Sequence, residues 1–214
     1  MWAEQMHLLA GATYAPTLYS FGDHLGAWAV GALELVKGRR LIIVGCSVGG
    51  SCALEIASIA PDRVAALVLI GTKANHTPDP AFHASALDIL RKKGLGPAWH
   101  ELWEPLFSDN APSGVVSKAE RMTLLQTPED VARGVTVFHT RPSRADVLST
   151  FPRSVVVITG SDDVAPGPKV SAKQAKLAPY GRLHVIADCG HYAPLERPDA
   201  VNLILREVIN EHQS

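Results

Sequence analysis

The chain has 214 residues, enough for one domain with a small insertion. Hydrophobic residues make up 47% and charged residues 19%, which excludes an intrinsically disordered chain. A net charge of -1, from 20 basic and 21 acidic residues, removes the electrostatic argument for a nucleic-acid or anionic-membrane partner. No apolar run approaches the ~18 residues of a membrane span, and residues 1–6 lack the basic start of a signal peptide. Three cysteines, an odd number without metal-ligand spacing, predict reduced thiols in a cytoplasmic protein.

In chain order, residues 16–20 read as a weak strand whose proline places it at a strand end or sheet edge. Leu25, Trp28, Ala29, Ala32, Leu33 and Val36 then mark a helix, with Asp23 as its cap and Gly38 as its stop. Residues 41–44 form a continuous apolar run, and 48–60 read as a helix halted by Pro61. Residues 64–70, 154–159 and 183–187 are further apolar runs of the kind buried on both faces of a parallel sheet. Val201, Ile204, Leu205, Val208 and Ile209 mark a final helix, with Pro198 in its first turn. Strand–helix alternation of this kind predicts an α/β fold with right-handed crossovers.

Residues 73–126 break the rhythm with helical stripes and no strands, so they read as a helical cap inserted into a core made of 1–72 and 127–214. Trp99 and Trp103 lie on one stripe, with Phe107 just beyond it; they serve either as core packing beneath the insertion or as a substrate-pocket wall. Thr127-Pro128-Glu129-Asp130 reads as a capped helix start.

Gly45-Cys46-Ser47-Val48-Gly49 fits G-x-S-x-G, directly after a buried strand and at the head of a helix. That setting is a nucleophile elbow, a strained turn with glycines on both sides that holds a serine hydroxyl above the strand end. A serine nucleophile needs a base, and the base needs an orienting acid. Asp162 and Asp163 follow the 154–159 strand, and His191 follows the 183–187 strand. All three groups follow strands in parallel, so they are expected to converge at one edge of the sheet. Either aspartate could instead be a solvated turn residue. Cys46 and Cys52 read as small buried residues beside the sheet.

In these segments the chain resembles the α/β-hydrolase superfamily, particularly its small esterase and enol-lactone-hydrolase-like members. The matching segments are 44–50, 61–70, 159–163 and 189–198, so the resemblance runs from about residue 14 to the C-terminus. It implies Ser47 as nucleophile, His191 as base and Asp163 as the triad acid, with Asp162 the runner-up. It also implies the Val48 backbone N–H as an oxyanion donor and no metal or organic cofactor. The expected reaction is cleavage of small carboxylic esters through an acyl-enzyme. Lactone or carbon–carbon-bond hydrolysis on the same triad is the alternative, and a hydrolase-derived binding protein with little turnover is the alternative of another class.

One departure stands out. Members of the superfamily carry three more strands before the region matching residues 16–20, and the third is followed by a His-Gly-type loop that gives the second oxyanion N–H. Here 46 residues precede Ser47 without such a pair. Residues 1–9 resemble the helix after that loop, and 13–20 the strand after it. The expectation is an N-terminally shortened sheet whose exposed edge drives self-association through the N-terminal region, unless residues 1–15 rebuild the wall.

Overall fold

The computed structural model describes residues 1–212. A 3-10 turn at Leu18–Phe21 precedes α1 (Leu25–Glu34), β1 (Leu41–Cys46), α2 (Val48–Ile59) and β2 (Val64–Ile70). The α-helices α3 (Pro80–Lys93), α4 (Leu95–Ala98), α5 (Ser113–Leu124), α6 (Pro128–Thr140) and α7 (Ala145–Thr150) follow, with a π-helical turn at Trp99–Trp103 and a 3-10 turn at Glu104–Leu106 after α4. The chain closes with β3 (Ser154–Gly160), α8 (Gly167–Leu177), β4 (Gly181–Ile186), α9 (Ala193–Glu196) and α10 (Pro198–His212). All the strands of the described residues form one parallel sheet in the order β1-β2-β3-β4.

β2 is buried along its whole length because strands flank it and helices cover both faces. Leu67, Leu69, Val155 and Val157 pack beneath Trp28 of α1, Leu54 and Ile56 of α2 and Leu148 of α7. Val68, Ile70, Val156 and Ile158 face Val201, Ile204, Leu205 and Val208 of α10, with Trp2 and Leu8 packed alongside. Burying each such aliphatic side chain contributes about 1.5–3 kcal/mol, so this sandwich holds the strand ends in fixed register.

Burial on both faces, expected of every apolar run, fails at the two edges. Leu41–Val44 is only half-buried, and Leu183 and Val185 of β4 are exposed. Each of these strands has one neighbour, and an edge strand leaves part of its surface uncovered. The strand expected at 16–20 is absent: Leu18–Phe21 is a single 3-10 turn. A strand needs a partner for its ladder, and no strand lies there to pair with. The segment docks on helices instead. Arg133 of α6 donates to the Tyr19 carbonyl, the Trp28 indole donates to the Gly22 carbonyl, and Tyr19 meets Trp28 edge-on. Residues 1–9 form successive turns, with Gln5 N–H on the Trp2 carbonyl and Leu8 N–H on the Gln5 carbonyl, rather than the expected helix. α1 is capped by His24, whose ring accepts from the Ala27 N–H, rather than by Asp23, and it ends at Glu34 before reaching Gly38.

Between β2 and β3 the helices build a separate small apolar cluster. Leu90, Ala98 and Val131 form its centre, with Leu102 and Trp103 packed on it. α6, which starts on the Thr127 cap, contributes to this cluster through Val131.

Candidate active site

Ser47 lies between β1 and α2 with φ 53° and ψ −121°, a conformation that a non-glycine residue adopts only under strain. The turn is tied down from several sides. Ser47 N–H donates to the Ile70 carbonyl at 2.8 Å, and the Thr72 hydroxyl donates to the Ser47 carbonyl at 3.3 Å. The steric demand for glycine falls on Gly45 and Gly50. A Cβ on Gly45 would meet the Gly49 backbone, and one on Gly50 would meet the Thr72 side chain. Gly49, the last glycine of the motif, has open space around it. Val48 opens α2, so its N–H has no carbonyl one turn back and stays available at the positive end of the helix.

His191 follows β4 and stands against the end of β2. Its ring comes so close to Gly71 that a Cβ there would lie 2.8 Å from Nδ1. Ser47 is bonded to Ile70, the residue before Gly71, so serine and imidazole flank the same strand end. The His191 side chain is 3% exposed and places Nδ1 3.1 Å from Asp163 Oδ1. A carboxylate can only accept, so Nδ1–H is the donor of this bond. Asp163 also accepts from the Ala165 N–H at 2.8 Å and from the Thr159 hydroxyl at 3.4 Å. Asp162 is occupied elsewhere. It accepts from the Ser108 hydroxyl at 2.6 Å and the Ser161 hydroxyl at 2.8 Å, and these bonds hold its carboxyl below the usual carboxylate range.

Ser47, Val48 and His191 line one cavity of about 1670 Å³. The Ser47 hydroxyl has no hydrogen-bond partner among the described residues. Trp99, Trp103 and Phe107 line the same cavity, and rings run in contact from Trp99 through Phe107 and Tyr192 to His191. Trp99 is buried and its indole N–H lacks a partner among the described residues; Trp103 also joins the small apolar cluster. The far wall comes from the N-terminal segment and from the outer edge of β1. A second, open depression of about 470 Å³, beside Asp62, Arg153 and Tyr180, contains none of these groups.

Glu196 escaped the sequence reading as a site residue. It is 3% exposed and accepts N–H bonds from Gly190, Tyr192 and Ser108, so one carboxylate gathers the loop on both sides of His191. Gln174 does similar work behind β2, bonding the Ala74 N–H and the Thr72 carbonyl. Cys46, Cys52 and Cys189 are free thiols, and all three are buried. Burial pushes the Cys52 and Cys189 thiols up to about 12 and raises that of Cys46 further, so none is a nucleophile at neutral pH. Among the described residues no cluster of His, Cys, Asp or Glu could hold a metal ion, and no helix is long and apolar enough to cross a membrane.

The family model described as the alpha/beta hydrolase family matches residues 1–202. The chain belongs to the alpha/beta hydrolase family. A 2-hydroxy-6-oxononadienedioate/2-hydroxy-6-oxononatrienedioate hydrolase from a Pseudomonas species is 25% identical over 188 residues, covering 83% of this chain and 65% of that protein. A 2-hydroxymuconate semialdehyde hydrolase from Pseudomonas putida is 23% identical over 211 residues, or 86% of this chain and 67% of that one. The chain thus spans about two thirds of the length of these relatives. Among solved structures, a thermophilic esterase from Thermogutta terrifontis with malate bound matches with a TM-score of 0.80 at 27% identity, covering 89% of this chain and 74% of that one. An enol-lactonase from Burkholderia xenovorans shares the fold at 17% identity, with a TM-score of 0.76 over 87% of this chain and 73% of that one. Hydrolases therefore stand among the relatives of this chain in sequence and among its neighbours in fold.

Proposed function

We propose that the protein is a serine hydrolase that cleaves small carboxylic esters with Ser47, His191 and Asp163. The observation that carries this reading is the buried 3.1 Å bond between His191 and Asp163, at a cavity that the strained Ser47 turn also lines. His191 Nε2 takes the Ser47 proton as Oγ attacks the acyl carbon, then returns it to the departing alcohol. Water enters by the reverse route and frees the acid. Asp163 holds the imidazole tautomer and stabilises the imidazolium. The Val48 N–H meets the oxyanion, helped by the α2 dipole. Trp99, Trp103 and Phe107 form the wall for a modest acyl or aryl group, and residues 73–126 act as a cap over the core of 1–72 and 127–214.

The test pairs the wild type with Ser47→Ala against a fluorophosphonate probe and p-nitrophenyl acetate. Labelling and turnover confined to the wild type support the reading. Equal signals from both proteins sink it, and labelling without turnover favours a binding protein that has kept the site.

A second reading, carbon–carbon-bond hydrolysis on the same groups, draws on the similarity to the Pseudomonas dioate hydrolase. Assaying a vinylogous 1,5-diketone beside the ester separates the two. The unpaired edge of β1 supports self-association through the N-terminal region. Sedimentation as a monomer at micromolar concentration removes that part of the proposal.

A further inference from the structure

The cavity that holds Ser47 and His191 carries formal charge of one sign. Lys37, Arg40, Lys73 and Arg141 line it, and no aspartate or glutamate does. Arg141 differs from a surface cation because it is 4% exposed. It follows α6 directly, where the chain turns back toward the sheet. Its guanidinium lies over the Phe138 ring, 4.0 Å from the centroid, and Nη1 donates to the Phe138 carbonyl. Nε is buried without a hydrogen-bond partner among the described residues, and none of the ion pairs there includes Arg141.

A guanidinium enclosed without a counter-charge is unfavourable unless something supplies one. Burial moves its pKa down to about 10, so the group still carries its charge at neutral pH. Nη1 is engaged by the Phe138 carbonyl and Nε is enclosed, which leaves Nη2 as the guanidinium nitrogen open to a ligand. Its N–H groups, backed by the guanidinium charge, suit a carboxylate oxygen. We propose that Arg141 is the anion-binding end of the substrate pocket, and that the ester cleaved at Ser47 carries a free carboxylate remote from the scissile bond. The substrate class is then a half ester, or a lactone bearing an acid, rather than a neutral alkyl ester. Lys73, on the loop after β2, adds positive potential along the way. This inference rests on the serine-hydrolase reading for its chemistry and on Arg141 alone for its binding.

The experiment compares 4-nitrophenyl half esters of succinate, glutarate and adipate with their methyl-capped neutral counterparts. For at least one chain length, kcat/KM for the acid should exceed that for the neutral ester by ~10-fold or more, mainly through KM. Arg141→Gln should bring that ratio toward one, and Arg141→Lys should keep part of it. Equal kcat/KM for acid and neutral forms at every length in the wild type overturns the proposal. So does a preference that persists in a folded Arg141→Gln protein. If the glutamine variant does not fold, the wild-type ratio and the lysine variant still decide.

Calorimetric titration with the free dicarboxylates needs no turnover. Binding by the wild type that Arg141→Lys weakens, with no ester cleaved, supports the anion site and overturns the ester-hydrolase reading. No dicarboxylate binding, alongside p-nitrophenyl acetate turnover that depends on Ser47, overturns the anion site and leaves the hydrolase standing.

Discussion

His191 Nδ1 and Asp163 Oδ1 meet 3.1 Å apart with both side chains enclosed, while Asp162, the neighbour in sequence, turns outward to Ser108 and Ser161. Two adjacent carboxylates thus have separate tasks. Asp163→Asn should lower kcat by about 10⁴-fold, because an amide can present its N–H to the ring and favour the wrong tautomer. Asp162→Asn should leave kcat within about tenfold, since its bonds shape a turn rather than the imidazole. Steady-state kinetics of the two variants on one nitrophenyl ester checks the pair.

Glu196 should matter to both stability and rate. Its carboxylate accepts three backbone N–H bonds around His191, and charge-assisted bonds of this kind are worth about 1.5–3 kcal/mol each. Glu196→Gln keeps one acceptor oxygen and sets an NH₂ against N–H donors. Denaturant unfolding should show a loss of about 3 kcal/mol, with kcat falling further than KM rises, because the base is less well held.

The two glycines after Val48 should respond oppositely to alanine. Gly50→Ala drives a methyl into Thr72, and over-packing of this kind costs about 1–3 kcal/mol. Gly49→Ala enters open space in a helix and should be neutral or stabilising by up to about 1 kcal/mol. Chemical denaturation of both proteins measures the contrast.

Acid should destabilise the helices between β2 and β3 through His139. Its ring stacks on His83 and lies edge-on to Phe82 and Phe138, with His76 and Arg141 adding positive charge and Asp79 the opposing negative one. Burial first, then these cations, pull its pKa down to about 4 from the usual 6.5. The folded state then binds fewer protons than the unfolded chain between those values. The contribution is intact above about pH 6.5 and is lost as pH falls toward 4. The Tm should drop between pH 7 and pH 5, and by less in His139→Gln.

The elements that were legible in the sequence are those whose cause is local. β2 needs only its apolar run, and its bounds of Val64–Ile70 match the pattern directly. The elbow announces itself through Gly45 and Ser47, and α6 through the Thr127 cap. The misreadings share a different origin. Residues 16–20 have the composition of a strand but no neighbour to pair with, a non-local fact that no window of sequence contains. Leu183 and Val185 look like core residues, yet they face outward because β4 is the last strand. Glu196 was invisible as a site residue because its task is set by loops that meet only in three dimensions. Arg141 gives no local signal, because what sets it apart is burial without an ion pair among the described residues.

Gly190 admits no side chain because the backbone of residues 106–108 runs against it. The Leu106 carbonyl takes the His191 N–H at 2.8 Å, and Ser108 N–H shares Glu196 with Gly190 and Tyr192. The end of the aromatic stretch and the imidazole loop are therefore fastened into one mechanical piece. A swing of the helical segment about residues 106–108 would drag the imidazole with it. The imidazole is thus kept in place by a stretch of chain far from it in sequence.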